Sequence, residues 1–314
     1  MKSKNFATYA WAVFFYNLLV IVWGAYVRIT GSGAGCGRHW PMCNGEVIPR
    51  DPQIATLIEY GHRTTSGLAL ISVVVLLIWA YRLFPKGHIV RFGAKLSMIF
   101  MVTEAILGAG LVLLQLVEDN ASVGRIFSMG AHLVNTFLLI ASISLTAWWA
   151  SGGKAVIWNK DDPLNTSLKI AIAALLVIGV TGAITALGDT LFPVQDIIDK
   201  GAKGKGFAET FLRQFRILHP LFAVIVSFYL LLIVIAVKKR RYNPTVQKLA
   251  TILLIVFLLQ LSIGITNIIL KVPAWLQLTH LLFADLVWVA LVLLTASILG
   301  DESSESSRLA QNLS

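Results

Sequence analysis

Long apolar runs separated by short polar segments are the dominant pattern of this chain, and there are eight of them: about 7–29, 59–82, 95–117, 127–150, 166–188, 212–237, 247–270 and 275–299. Each is long enough to cross a hydrocarbon layer of ~30 Å. Backbone groups in lipid must find their hydrogen bonds within the segment, so each run predicts a transmembrane helix. The strict apolar–polar alternation of a β-barrel is absent. The expected fold is an all-α integral membrane protein. The runs divide into residues 1–151 and 166–300, with a connecting segment 152–165 and a polar tail 301–314 expected to lack order.

Composition agrees: 57% of the 314 residues are hydrophobic and 13% are charged, far from a soluble domain. The first run ends in Arg28 and a glycine-rich loop instead of a small-residue cleavage site, so it reads as a span and not a signal peptide. The net charge of +10 comes from basic residues flanking the apolar runs, which favours lipid head groups and topology over nucleic acid. The run Lys238-Lys239-Arg240-Arg241 is the clearest inner anchor, and it puts both termini inside. Cys36 and Cys43, the only cysteines, then share an outer loop where a disulfide persists. Their spacing is not that of a c-type haem attachment, and two cysteines alone make no structural zinc site.

The chain also reads as two copies of a four-helix unit. Gly24-Ala25 matches Gly182-Ala183, Glu104 with Gly108 matches Gln260 with Gly264, His62 matches His219, and His132 matches His280, all at offsets of 148–158 residues. An even number of spans per unit gives both copies the same orientation. The four histidines stand three to eight residues inside the even-numbered runs, which enter from the outer side, so they come to similar depth. Side chains on facing helices build cofactor sites in bundles, and neutral imidazole is a good iron ligand. His62 with His132 and His219 with His280 are therefore expected to clamp two haem irons. Histidines bonded between helices and zinc or copper sites are the alternatives, although a third ligand per metal is not apparent.

The two units differ one turn before the first histidine of each, where Glu59 precedes His62 and Arg216 precedes His219. The i, i+3 spacing puts each on its histidine's face. Arginine suits a haem propionate; a carboxylate repels one but takes a proton or stabilises positive charge. The first unit is thus the candidate for chemistry and the second for holding a cofactor. Arg28 and Arg63 are further propionate candidates, and Gln277 a weaker polar one. Asp285 and Glu104 are intramembrane carboxyl groups; Glu104 reads as a packing residue, while a relay and a packing role stay open for Asp285. The loop from Gly31 to Cys43 follows a membrane helix and not a strand, so its glycines are no dinucleotide fingerprint; they allow tight turns in a cap over the first site. His39 and His88 read as loop or surface residues. The segment Gly201 to Gly206 lacks P-loop spacing.

The motifs Gly24-Ala25-x-x-Arg28-x-Thr30-Gly31-Ser32-Gly33, Cys36 to Cys43 with Trp40-Pro41 and Gly45, and Glu59-x-x-His62-Arg63, with the later histidines, resemble haem A synthase over about residues 7–299. The resemblance implies oxidation of the C8 methyl of haem O to a formyl group, making haem A for cytochrome oxidase by successive hydroxylations and loss of water. It implies that His62 and His132 hold the substrate haem with Glu59 assisting, and that His219 and His280 ligate a haem b cofactor that carries electrons. It implies a prokaryotic plasma membrane location with the haem sites near the outer face. Its implied partners are haem O, haem A and membrane lipid, with a protohaem farnesyltransferase, an electron acceptor and a homo-oligomer as further candidates. The chain departs from the family in lacking a second cysteine pair in the segment 189–213 and in carrying Arg216 where an acidic residue is common. Rival readings are a b-type cytochrome that only passes electrons, a haem transporter or chaperone, and, more weakly, a transporter with no haem.

Overall fold

The computed structural model describes residues 2–156, 162–193, 207–240 and 242–312. Its helices are α1 (Lys2–Ile29), α2 (Ile54–Leu83), α3 (Ile89–Leu113), α4 (Val123–Ala150), α5 (Pro163–Leu191), α6 (Phe207–Lys239), α7 (Pro244–Ile269) and α8 (Ala274–Asn312). All eight are long and apolar enough to span a membrane, and there is no strand among the described residues. This is an all-α membrane protein.

Several helix ends have visible causes. Asp162 and Asn243 cap α5 and α7 by accepting the backbone N–H groups of Leu164 and Val246, at 2.8 and 3.0 Å, and a proline opens each helix. Ser122 caps α4 by accepting from Arg125 N at 3.3 Å. His88 is half-buried and caps α3 through Nδ1, so it is not the plain surface residue expected.

The apolar pattern mislaid some boundaries. α2 begins at Ile54, which makes Glu59 its sixth residue and His62 its ninth. His132, His219 and His280 are the tenth, thirteenth and seventh residues of their helices. His62, His132 and His219 therefore stand further into their helices than the three to eight residues expected, because the turns before the apolar runs are already helical, while His280 falls within that range. α3 runs from Ile89 to Leu113 in place of 95–117: the cap at His88 starts it early, and the positive φ of Gln115 ends it. α8 continues as helix to Asn312, whereas 301–314 was expected to lack order; no proline or glycine follows Gly300 to stop it. Most of the segment between α5 and α6, including Gly201 to Gly206, lies outside the described residues.

Packing joins α1 to α2, α2 to α3, α3 to α4 and α4 back to α1; α5 to α8 close on one another in the same order. The two groups of four meet through α4 against α5 and α8, and through α1 against α8. The apolar core is continuous across that seam and includes Phe14, Phe137, Ile140, Leu230, Leu253, Trp288 and Leu291. Trp288 stacks on Phe137, ring centroids 5.2 Å apart, and its Nε1 donates to the Phe137 carbonyl at 2.7 Å. Arg240 grips Asp162 with two bonds of 2.5 and 3.0 Å, joining the end of α6 to the start of α5.

Candidate functional site

Each of the four histidines lies over a glycine on the helix before it. A Cβ built on Gly24 would come within 2.9 Å of His62 Cε1, on Gly182 within 3.0 Å of His219 Cε1, and on Gly264 within 2.9 Å of His280 Cε1. His132 is looser, its Cε1 3.9 Å from the Cβ position of Gly108. Real Cβ atoms are not found at 2.9 Å from a ring carbon, so three of the imidazoles take space that any larger residue would fill. The paired glycines were visible in the sequence as internal matches. Their role as floors for the imidazoles was not.

The loop between α1 and α2 is pinned to α2 by the motif around His62. Glu59 is 3% exposed. Its Oε2 accepts Cys36 N at 2.7 Å, and its Oε1 accepts Arg63 Nε at 3.0 Å and Nη2 at 2.5 Å. Arg63 Nη1 donates onward to the carbonyls of His39 and Met42, at 2.5 and 2.6 Å. Thr56 Oγ1 donates to the Gly35 carbonyl at 2.8 Å. A Cβ on Gly35 would sit 2.5 Å from the Ala55 backbone, so the loop lies directly on the helix. Cys36 and Cys43 form a disulfide, and both are buried. His39 is an exposed loop residue, as expected.

The other candidates are distributed differently. Arg216 binds Asp189 Oδ1 through Nε at 2.6 Å, and its Nη2 donates to the carbonyls of Gly188, at 3.2 Å, and Phe192. Arg28, expected at the edge of the first unit, instead crosses the seam: Nη1 donates to Ala186 O at 2.6 Å and to Thr190 Oγ1, and Nη2 to Gln277 Oε1 at 3.4 Å. Glu104 is held by Thr136 Oγ1 at 2.5 Å and Asn135 Nδ2 at 2.6 Å, and its Oε1 is 3.7 Å from His132 Nε2. Asp285 is fully buried, and neither carboxyl oxygen has a partner among the described residues. The sequence reading missed Asp189, Asn135, Thr136 and Thr181, polar residues on apolar helices whose partners lie on other helices.

The histidines suit haem iron on their own atoms. Nδ1 of His62, His132 and His280 is buried with no partner among the described residues. His219 Nδ1 pairs with Thr181 Oγ1 at 3.0 Å, which leaves its other nitrogen for a ligand. The His219 and His280 rings stand edge to face, with centroids 6.5 Å apart and planes at 88°. No cluster of three or more His, Cys, Asp or Glu able to hold a bare metal ion occurs among the described residues.

A Thermus thermophilus protein named protoheme IX farnesyltransferase is 49% identical over 296 residues, covering 94% of this chain and 49% of that protein. A heme A synthase of Halalkalibacterium halodurans is 38% identical over 127 residues, 40% of this chain and 42% of that protein. A heme A synthase of Exiguobacterium is 38% identical over 143 residues, 45% of this chain and 46% of that protein. The chain thus spans about half the length of the curated relatives it matches. The model of the COX15-CtaA family, described as cytochrome oxidase assembly protein, matches residues 7–292, and the chain belongs to that family.

Proposed function

We propose that this protein is a haem A synthase, oxidising the C8 methyl of haem O to a formyl group. The observation that carries the reading is the set of four imidazoles, two in each group of four helices, each over a glycine and each with a ring nitrogen free for a ligand. His62 and His132 hold the substrate haem in an N-terminal lobe, residues 1–151. His219 and His280 hold haem b in a C-terminal lobe, residues 166–300. Haem b, when bound, supplies one-electron redox chemistry. The matching glycines and histidines support a repeated four-helix unit.

In this reading Glu59 stands one turn from His62 with its carboxylate fixed. Three of its roughly four lone-pair sites are taken, by Cys36 N and by two Arg63 donors, which leaves about one to receive a proton or face developing positive charge. The disulfide loop shields that edge from water. Arg63 has about one of its five donors left after binding Glu59 and two loop carbonyls, so its main part is to hold the loop. Arg28 and Arg216 keep about two donors each and are the better propionate partners. The basic end of α6 supports an inner location for the termini in a prokaryotic plasma membrane, with both haem sites toward the outer face. A longer relative named protoheme IX farnesyltransferase supports an enzyme of that kind as the source of haem O.

The rival with an observation behind it is a b-type cytochrome, because the Glu59–Arg63 pair also serves as a purely structural brace. Pigment extraction and chromatography separate the two, on protein purified from cells that co-produce a haem O synthase. Haem b together with haem O or haem A is expected, and Glu59→Ala is expected to cut haem A by roughly 100-fold or more. Two equivalents of haem b, unchanged by haem O supply, would overturn the synthase reading.

A further inference from the structure

Beside its second histidine, each group of four helices has a polar side chain on the helix before, and the two differ in kind. In the first, Glu104 on α3 faces His132 on α4, Oε1 to Nε2 at 3.7 Å. In the second, Gln260 on α7 faces His280 on α8, Nε2 to Nε2 at 3.3 Å. In each case a glycine follows four residues later and lies by the same ring, Gly108 or Gly264. The positions correspond, so the contrast of carboxyl and amide is a difference between two like sites.

Glu104 is built in. Thr136 donates to one of its oxygens and Asn135 to the other, at 2.5 and 2.6 Å. Asn135 is itself fixed by the Phe100 carbonyl at 2.8 Å and by Thr103 Oγ1 at 2.5 Å. A network of four side chains on two helices thus aims one carboxyl oxygen at an imidazole. Gln260 has no comparable support: its Oε1 is buried without a partner among the described residues. The 3.7 Å contact is longer than a hydrogen bond, and contacts of this kind tighten when a site is assembled. The loose fit over Gly108 gives the His132 ring room to turn toward it.

A carboxyl oxygen that accepts the N–H of a ligating imidazole fixes its tautomer and orientation, and makes the other nitrogen a stronger donor. The Gln260 amide presents its Nε2 to His280, where it donates, so it does not do this. We infer that Glu104 is the positioning residue for His132, and that the Glu104/Gln260 difference sets the haem of the first lobe at a lower reduction potential than the haem of the second. The inference rests on the reading of these histidines as haem ligands. It gives a direction to an electron passing between the two haems: downhill from the first lobe to the second.

The test is a spectroscopic redox titration of the purified full-length protein, with low-spin ferric resonance spectra of each haem. Glu104→Gln is expected to raise the midpoint of the first-lobe haem, by a roughly tenfold change in its oxidised-to-reduced ratio, ~59 mV for one electron, and to leave the second unmoved. Gln260→Glu is expected to lower the second alone, and this variant decides the matter if Glu104→Gln does not accumulate. Midpoints and resonance spectra unmoved, or both haems shifted together, overturn the inference. If the haem spectra ignore His132→Ala and His280→Ala, the haem reading falls and takes this inference with it; if they respond and the midpoints do not, this inference alone fails.

Discussion

Three of the four histidines owe their place to a missing carbon atom. Gly264→Ala puts a Cβ 2.9 Å from His280 Cε1, so the imidazole has to shift. Overpacking of this kind costs about 1–3 kcal/mol. The expected outcome is a lower melting temperature in detergent together with a changed visible spectrum of the second haem. Gly110, on α3, has open space at the same place. Gly110→Ala is therefore expected to leave the spectrum alone and to stabilise the helix by up to ~1 kcal/mol. Equal effects of the two substitutions would count against the imidazole floor. At this scale the sequence displayed residue types well and partners poorly. Glycines 24, 108, 182 and 264 stood out as matches, but nothing in a one-dimensional pattern says that a ring lies on each. Asn135, Thr136 and Thr181 looked like ordinary polar substitutions in apolar runs, because their partners depend on how neighbouring helices are rotated.

At the scale of elements, the apolar runs showed every span, since hydropathy is a local property summed over ~20 residues. Helix ends were less legible. They depend on single caps such as His88 and on polar turns that stay helical outside the hydrocarbon. The loop between α1 and α2 is the clearest case of an element held by another element's side chains. Arg63 donates to two of its carbonyls and also braces the Glu59 that binds Cys36 N. Arg63→Ala is expected to loosen the loop and to speed reduction of the Cys36–Cys43 disulfide by an added thiol roughly tenfold, since exposure governs such attack. Trapping free thiols by alkylation over time reads this directly. An unchanged rate would mean that Thr56 and the glycine backbone hold the loop by themselves.

At the scale of the whole molecule, the seam between the two groups of four depends on a few polar ties within an apolar core. Arg28 reaches from α1 to α5 and α8, and Trp288 reaches from α8 to the backbone of α4. Trp288→Phe keeps an aromatic side chain but removes the indole N–H bond to the Phe137 carbonyl, worth about 0.5–1.5 kcal/mol net, and leaves a void where the larger indole was. The loss is expected to show in thermal unfolding of the whole chain, and a transition confined to one group would argue that they unfold separately. Arg28 was legible as an outer arginine but not as a tie across the seam, since its partners lie far along the chain. α8 is the most buried of the spans and touches α1, α4, α5 and α7. It is also made after the other seven. Until the ribosome delivers it, the faces of four earlier helices have only lipid against them, and both His280 and the Trp288 bond are missing. The order of synthesis thus leaves the second group of four and the seam incomplete until α8 inserts, and a newly made chain held before that step is what membrane quality control would have to recognise.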